Sequence, residues 1–299
     1  MIFPIGDTPN PDRIAWANTL LILVNVLVYL LITLPLSLEP LDPGQLGTLT
    51  EIFGDVPRGA VSAYDGWLLE HGYQTAAPEA SDLLASMFLH AGLGHLGSNM
   101  WFLWIYGDNV EARLGSIPYL LLYLLFGVAA TLAYGLVVPA SPIPLVGASG
   151  AISGVLGAYL VWFPHNRVRL LVALWPLWVD VVLVPAWAVL GAYLTIDNLL
   201  PLFLGSASGV AYGAHVGGFF AGILVALGLG GWGARATARV DHLEAGRRAL
   251  DAGDQAAAFH HLVTAYRRGD DATAEAARRE LLRIPDPRLQ AWLRGRLRR

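Results

Sequence analysis

The sequence has no cysteine and no lysine, and only 14% of its residues are charged. Without cysteine there can be no disulfide, no thiolate metal site and no cysteine nucleophile. Without lysine, all 19 basic residues are arginine. The scarcity of charge comes with 55% hydrophobic residues and a mean hydropathy of +0.52. That balance excludes an ordinary soluble domain and indicates a polytopic membrane protein. Residues 1–12 carry no basic n-region, and the first apolar run is too long for a signal peptide, so it reads as a retained span.

What is present is a series of six apolar runs, at residues 14–36, 93–106, 117–138, 146–163, about 181–200 and 206–229. A span needs about 20 apolar residues at 1.5 Å rise each. The second and fourth runs fall short or carry polar groups, so neighbouring helices rather than lipid should shield them. Residues 37–92 hold Glu39, Asp42, Glu51, Asp55, Asp65, Glu70, Glu79 and Asp82 against Arg58 alone. Arg113, Arg167, Arg169 and an Arg-rich tail fall on the opposite side. The positive-inside rule then predicts both termini in the cytoplasm and the acidic segment outside. Trp67, Leu68 and Leu69 in that segment suggest a piece lying at the interface. The expected architecture is all-α: a six-span membrane domain over residues 1–232, with 37–92 as its outer loop, followed by a small Arg-rich helical cytosolic domain over 233–299. Gly253-Asp254, Gly269-Asp270 and Pro285 punctuate the helices of that tail. Its spacing faintly resembles a tetratricopeptide pair but is too short for an array. Two roles stay open for it: binding a cytosolic partner or anionic headgroups, and a solvated helical cap.

Three polar side chains lie where lipid-embedded helices seldom spend them. His95 and Asn99 are four apart and share a face of the second span. His215 lies in the sixth, roughly 13 Å along it by helical rise. Intramembrane ionisable groups are costly and face the bundle interior; each alone also reads as interhelical hydrogen-bond glue.

The fourth span opens on Gly147-Ala148-Ser149-Gly150. Glycine lets the backbone turn and approach another group closely, and a helix's first turn offers unpaired N–H groups and the positive end of its dipole. Spans four and six run in the same direction. Gly150, Gly154 and Gly157 on one, and Gly218 and Gly222 in line with His215 on the other, form facing stripes of small residues. Packed together, they would bring the Ser149 hydroxyl toward the His215 ring, the minimum pair for acyl transfer. No carboxylate is placed to orient the imidazole, Asp180 and Asp197 lying near the ends of span five, so a dyad is expected rather than a triad. His95, Asn99 and the Ser149 N–H are candidate oxyanion donors.

With those residues in view, the chain resembles the rhomboid family of intramembrane serine proteases from about residue 6 to residue 230. Phe88-Leu89-His90 with His95, Asn99 and Met100 is similar to the family's second-helix signature. Asp108, Glu111, Arg113 and Gly115 follow as they do there, Gly147-Ala148-Ser149-Gly150 matches its G-x-S-G motif, and Ala214-His215 with Gly218 and Gly222 matches its sixth helix. The resemblance implies Ser149 as nucleophile, His215 as general base, and His95, Asn99 and Gly147 on the oxyanion and substrate side. It implies a water-filled cavity open to the outside and substrates that are transmembrane segments cut near the outer face. No cofactor, metal or nucleic-acid partner is implied; the partners are transmembrane proteins and the lipid bilayer, and the expected location is a prokaryotic plasma membrane. One departure is Ser153, which stands where the family often has an aromatic residue packed on the catalytic ring. Trp187 and Phe220 are candidate bulky gate-side residues, the alternative being that both simply face lipid. The alternatives are a non-catalytic relative that binds transmembrane clients, and a proton-relaying transporter; the latter lacks an inverted repeat and an intramembrane carboxylate chain.

Overall fold

A short strand, β1 (Ile2–Thr8), precedes the first long apolar helix, in a computed structural model that describes residues 2–11, 13–54, 61–174, 178–205, 209–230, 242–268 and 271–284. That helix is continuous over Trp16–Leu38, with α1 (Trp16–Val28) and α2 (Leu34–Leu38) joined through a π-helical turn at Tyr29–Thr33. The acidic loop folds into α3 (Pro43–Phe53), α4 (Ala63–His71) and α5 (Ala80–Ala85). Then come α6 (Leu93–Leu114), α7 (Ser116–Val137) and α8 (Ser149–Trp162). Strands β2 (Arg167–Leu174) and β3 (Trp178–Pro185) follow. They lead into α9 (Ala186–Leu194), a π-helical turn at Thr195–Leu199, and α10 (Leu200–Leu204). The last helix of this unit is α11 (Tyr212–Gly228).

Among the described residues, three helices are long and apolar enough to cross a bilayer: Trp16–Leu38, Ser116–Val137 and Ala186–Leu204. Helices α8 and α11 are apolar but shorter. Position explains how α8 can be short. Nearly all of its side chains are buried, from Gly150 through Trp162 apart from Leu160, in contact with α6, α7, α9 and α11. A helix lined by protein on all sides has no hydrocarbon thickness to match.

The chain is mostly helical, but a sheet departs from the all-α architecture expected from its sequence. β1, β2 and β3 form an antiparallel sheet in that order, with Ile2 paired to Val172 and Arg167 paired to Pro185. The β-branched run at Val179, Val181, Val182 and Val184 suits a pleated strand. Its part after Asp180, residues 181–184, is apolar throughout and reads as the start of span five. The helix instead begins at Ala186, immediately after Pro185, whose fixed φ and missing N–H suit a helix start. The second span is likewise longer than its apolar part, running to Leu114, and the sixth begins at Tyr212 rather than 206.

Motif residues after the second span hold helix ends together. The Glu111 carboxylate accepts from the N–H groups of Ala17 (3.1 Å) and Asn18 (2.8 Å), capping α1 from α6. Asn18 donates to the Leu103 carbonyl and accepts from Tyr119 on α7. Gly115, at φ 87°, turns the chain from α6 into α7. The Arg113 guanidinium lies 4.8 Å from the Trp162 ring centre and donates to the Gly230 carbonyl at 3.3 Å, tying the far ends of α6, α8 and α11.

Residues Met1–Ala234 form one unit and Arg235–Arg299 a second. In the second, α12 (His242–Asp251), α13 (Gln255–Arg268) and α14 (Asp271–Leu281) close over Ala258, Leu262, Leu281 and Ile284. Gly246 allows α12 to approach the Leu262 side chain, and Glu280 pairs with Arg247 and Arg283 at 2.9 Å each. The predicted breaks at Gly269-Asp270 and Pro285, the boundary at Trp232 and the final arginines lie outside the described residues.

Candidate active site

Three helices present their first turns to one another. Ser149 is the first residue of α8, His215 lies in the first turn of α11, and His95 in the first turn of α6. No offset in depth is needed to bring Ser149 and His215 together, because α11 starts later than its apolar run implied. Ser149 Oγ lies 2.8 Å from His215 Nε2, a hydrogen bond between residues 66 apart in sequence. The first-turn N–H groups of a helix lack intrahelical partners. With the dipoles of these three helices they give the cluster a positive bias toward developing negative charge.

The glycines work differently from two facing stripes. Gly218 of α11 rests against the carbonyl of Gly150, and Gly222 against the carbonyl of Gly154, so at these two points the small residue belongs to α11 and meets α8 backbone. Gly150 and Gly154 themselves open toward Ala130 and Phe126 of α7, while Gly157 admits the Phe219 carbonyl of α11. α8 is therefore gripped from two sides.

Gly147 has φ 120°, a backbone that L side chains rarely adopt. Its N–H donates to the Ser86 carbonyl at 2.8 Å. A Cβ there would come within 2.7 Å of His95 Cε1 and 2.8 Å of its Nε2. Glycine thus lets the chain before Ser149 pass directly beneath the His95 ring. Asn99 is 6% exposed, and its Nδ2 is buried without a hydrogen-bond partner in the protein. Ser149, His215, His95, Asn99 and Gly147 all gather at one end of the bundle. A cavity of about 10 Å³ bordered by Ser149, Gly147 and Ser86 adjoins them. The outer loop covers this end through Tyr64, Leu68 and Leu89, packed with Trp67 and Val146.

Two contacts were not foreseen. The Asn198 Oδ1 lies 2.8 Å from His215 Nδ1; a search for carboxylates passes over an amide, and Asn198 sits in an otherwise apolar run. Ser153 Oγ lies 2.9 Å from the Tyr193 hydroxyl, a polar contact from α9 at the position where α8 has no ring. Trp187 and Phe220 are 54% and 46% exposed, on the apolar outer surface. Among the described residues no group of His, Asp or Glu is arranged to hold a metal.

Residues 77–232, just over half of the chain, match the Rhomboid domain. The chain belongs to the rhomboid family. The rhomboid match takes in α6, α7, α8 and α11 and every residue of the cluster. The chain is 34% identical over 164 residues to Rhomboid protein 1, mitochondrial, of Saccharomyces cerevisiae, covering 52% of this chain and 43% of that one. It is 34% identical over 149 residues to Rhomboid protease GluP of Bacillus subtilis, covering 50% of this chain and 26% of that one. A shorter match, 33% over 93 residues, is to the human Presenilin-associated rhomboid-like protein, mitochondrial, covering 30% and 24%. The chain thus spans less than half the length of these relatives.

Proposed function

We propose that this rhomboid is an intramembrane serine endopeptidase that cuts transmembrane segments of other proteins near the outer face of a membrane. The observation that carries the reading is the 2.8 Å contact between Ser149 Oγ and His215 Nε2. His215 Nε2 takes the hydroxyl proton as Oγ attacks the scissile carbonyl carbon. The carbonyl oxygen becomes an oxyanion, accepting hydrogen bonds from Asn99 Nδ2, the His95 ring and the Ser149 N–H. His215 then gives its proton to the leaving amine and the C–N bond breaks, leaving an acyl ester on Ser149. A water, deprotonated by His215, attacks that ester, releases the second product and restores the hydroxyl.

In this reading six segments cross the membrane: α1–α2, α6, α7, α8, α9–α10 and α11. Pairing of β1 with β2, directly after α8, supports placing the N-terminus on the same side as Arg167 and Arg169, the cytoplasmic side by the positive-inside rule. The cluster then lies at the opposite, outer end, where water can reach it. A client segment has to leave lipid and lose helix to expose a carbonyl, which favours small residues at the cut.

The experiment is cleavage of a transmembrane reporter in reconstituted vesicles by wild type, Ser149→Ala and His215→Ala. Cleavage by wild type alone supports the reading. Equal cleavage by Ser149→Ala, or none by any protein across a panel of reporters, contradicts it.

A further inference from the structure

We propose that Asn198 is a positioning residue that fixes the tautomer and the plane of the His215 ring, so that the site operates as a Ser149–His215–Asn198 triad. The inference rests on the protease reading above.

The amide has only one orientation available. Its Nδ2 donates to the Tyr193 carbonyl at 2.8 Å, and a carbonyl can only accept. Oδ1 must therefore face the His215 ring, where it lies 2.8 Å from Nδ1. Because Oδ1 is also only an acceptor, Nδ1 must carry the proton. That leaves Nε2 as the unprotonated nitrogen toward Ser149 Oγ, the state a general base requires. An imidazole free of this restraint would divide between two tautomers, and the other one would aim an N–H at the hydroxyl.

Local backbone geometry puts the amide there. Thr195, Ile196 and Asp197 are exposed, whereas Asn198 is 1% exposed. The π-helical turn at Thr195–Leu199 widens the helix by one residue, which swings Asn198 inward and brings its Nδ2 to the carbonyl five residues back. The Tyr193–Ser153 contact anchors the same turn to α8. One short segment between α9 and α10 is thus fastened both to the helix of Ser149 and to the ring of His215.

A purely structural amide and a positioning amide predict opposite orders in a two-variant series. In Asn198→Leu both hydrogen bonds are lost. In Asn198→Asp an acceptor toward Nδ1 returns, but a second oxygen now faces the Tyr193 carbonyl. If Asn198 positions His215, Asn198→Leu lowers kcat at least about tenfold with KM little changed, and Asn198→Asp recovers most of that loss. If it serves only to satisfy Tyr193, Asn198→Asp is no better than Asn198→Leu, and the proposal is overturned. Rates are referred to folded protein by thermal unfolding of each variant. Should Asn198→Asp not fold, Asn198→Leu decides alone: a wild-type kcat overturns the proposal, and a reduced kcat at unchanged melting temperature supports it. Wild type run beside Ser149→Ala separates the two claims. Ser149-dependent cleavage with an unaffected Asn198 series removes only the positioning role of Asn198; absence of Ser149-dependent cleavage removes both.

Discussion

Gly218 of α11 lies against the backbone carbonyl of Gly150 of α8, one residue after Ser149 and three after His215. A Cβ at Gly218 has no room there, and the obstacle is backbone, which cannot rotate aside as a side chain can. Gly218→Ala should therefore part the two helices just where the hydroxyl and the imidazole meet. The expected cost is ~1–3 kcal/mol of stability, with a larger proportional loss of cleavage rate, because a misplacement of about 1 Å can cost on the order of 10²-fold. Gly228→Ala, where an added Cβ meets nothing, is the control. Thermal unfolding and reporter cleavage on both variants check the prediction; equal behaviour of the two would refute it.

Gly147→Ala should spare the helices and damage the site. The new Cβ would be strained at φ 120° and would press on the His95 ring. The expected result is a fall in kcat on the order of 10²-fold, the lower end of what removing one oxyanion donor costs. Kinetics with a fixed reporter, together with the melting temperature, will show whether the loss exceeds what destabilisation explains.

How much of this was legible in the sequence depended on the kind of interaction. The convergence of Ser149 with His215 could be argued from helix direction and spacing, since both are regular over a helix. The packing of His95 and Asn99 on one face followed from the same periodicity. The sheet was hidden because a run such as 181–184 is apolar whichever way it folds, and only its pairing partner at 167–174, itself paired to 2–8, decides for strand. The Asn198 contact was hidden because its orientation comes from a π-helical turn, which no 3.6-residue pattern predicts. The grip of α11 glycines on α8 carbonyls could be anticipated as closeness, not as which atoms touch.

Asp7 provides a prediction for pH. Burial raises its carboxyl from the ordinary 3.8 to about 7; the Tyr159 hydroxyl bonded to it works against that rise, and the nearby Asp108 charge adds to it. Asn109 Nδ2 donates to it at 2.9 Å. Burial outweighs these donors, which by themselves would favour the carboxylate, so the neutral acid is the form the fold favours. Its contribution is complete below pH ~4, where the unfolded chain is also protonated, and is lost as pH rises through about 7. A carboxyl that titrates at about 7 when folded and 3.8 when free corresponds to ~4 kcal/mol. Wild type should unfold at a lower temperature at pH 8 than at pH 5, and Asp7→Asn should flatten that difference. An unchanged slope in Asp7→Asn would assign the pH dependence to another group.

The Ser153–Tyr193 contact should behave as a coupled pair. Removing either hydroxyl, by Ser153→Ala or Tyr193→Phe, is expected to cost ~1 kcal/mol of stability, and removing both should cost little more than one alone. A double-mutant cycle by unfolding measures the coupling. Additive losses would mean that the two hydroxyls do not depend on each other.

The most direct test of the central claim is to treat the purified protein with a fluorophosphonate and locate the adduct by mass spectrometry. An activated hydroxyl beside an imidazole predicts one adduct, on Ser149, absent from Ser149→Ala and strongly reduced in His215→Ala. An adduct on Ser149 that forms equally fast in His215→Ala would contradict the dyad.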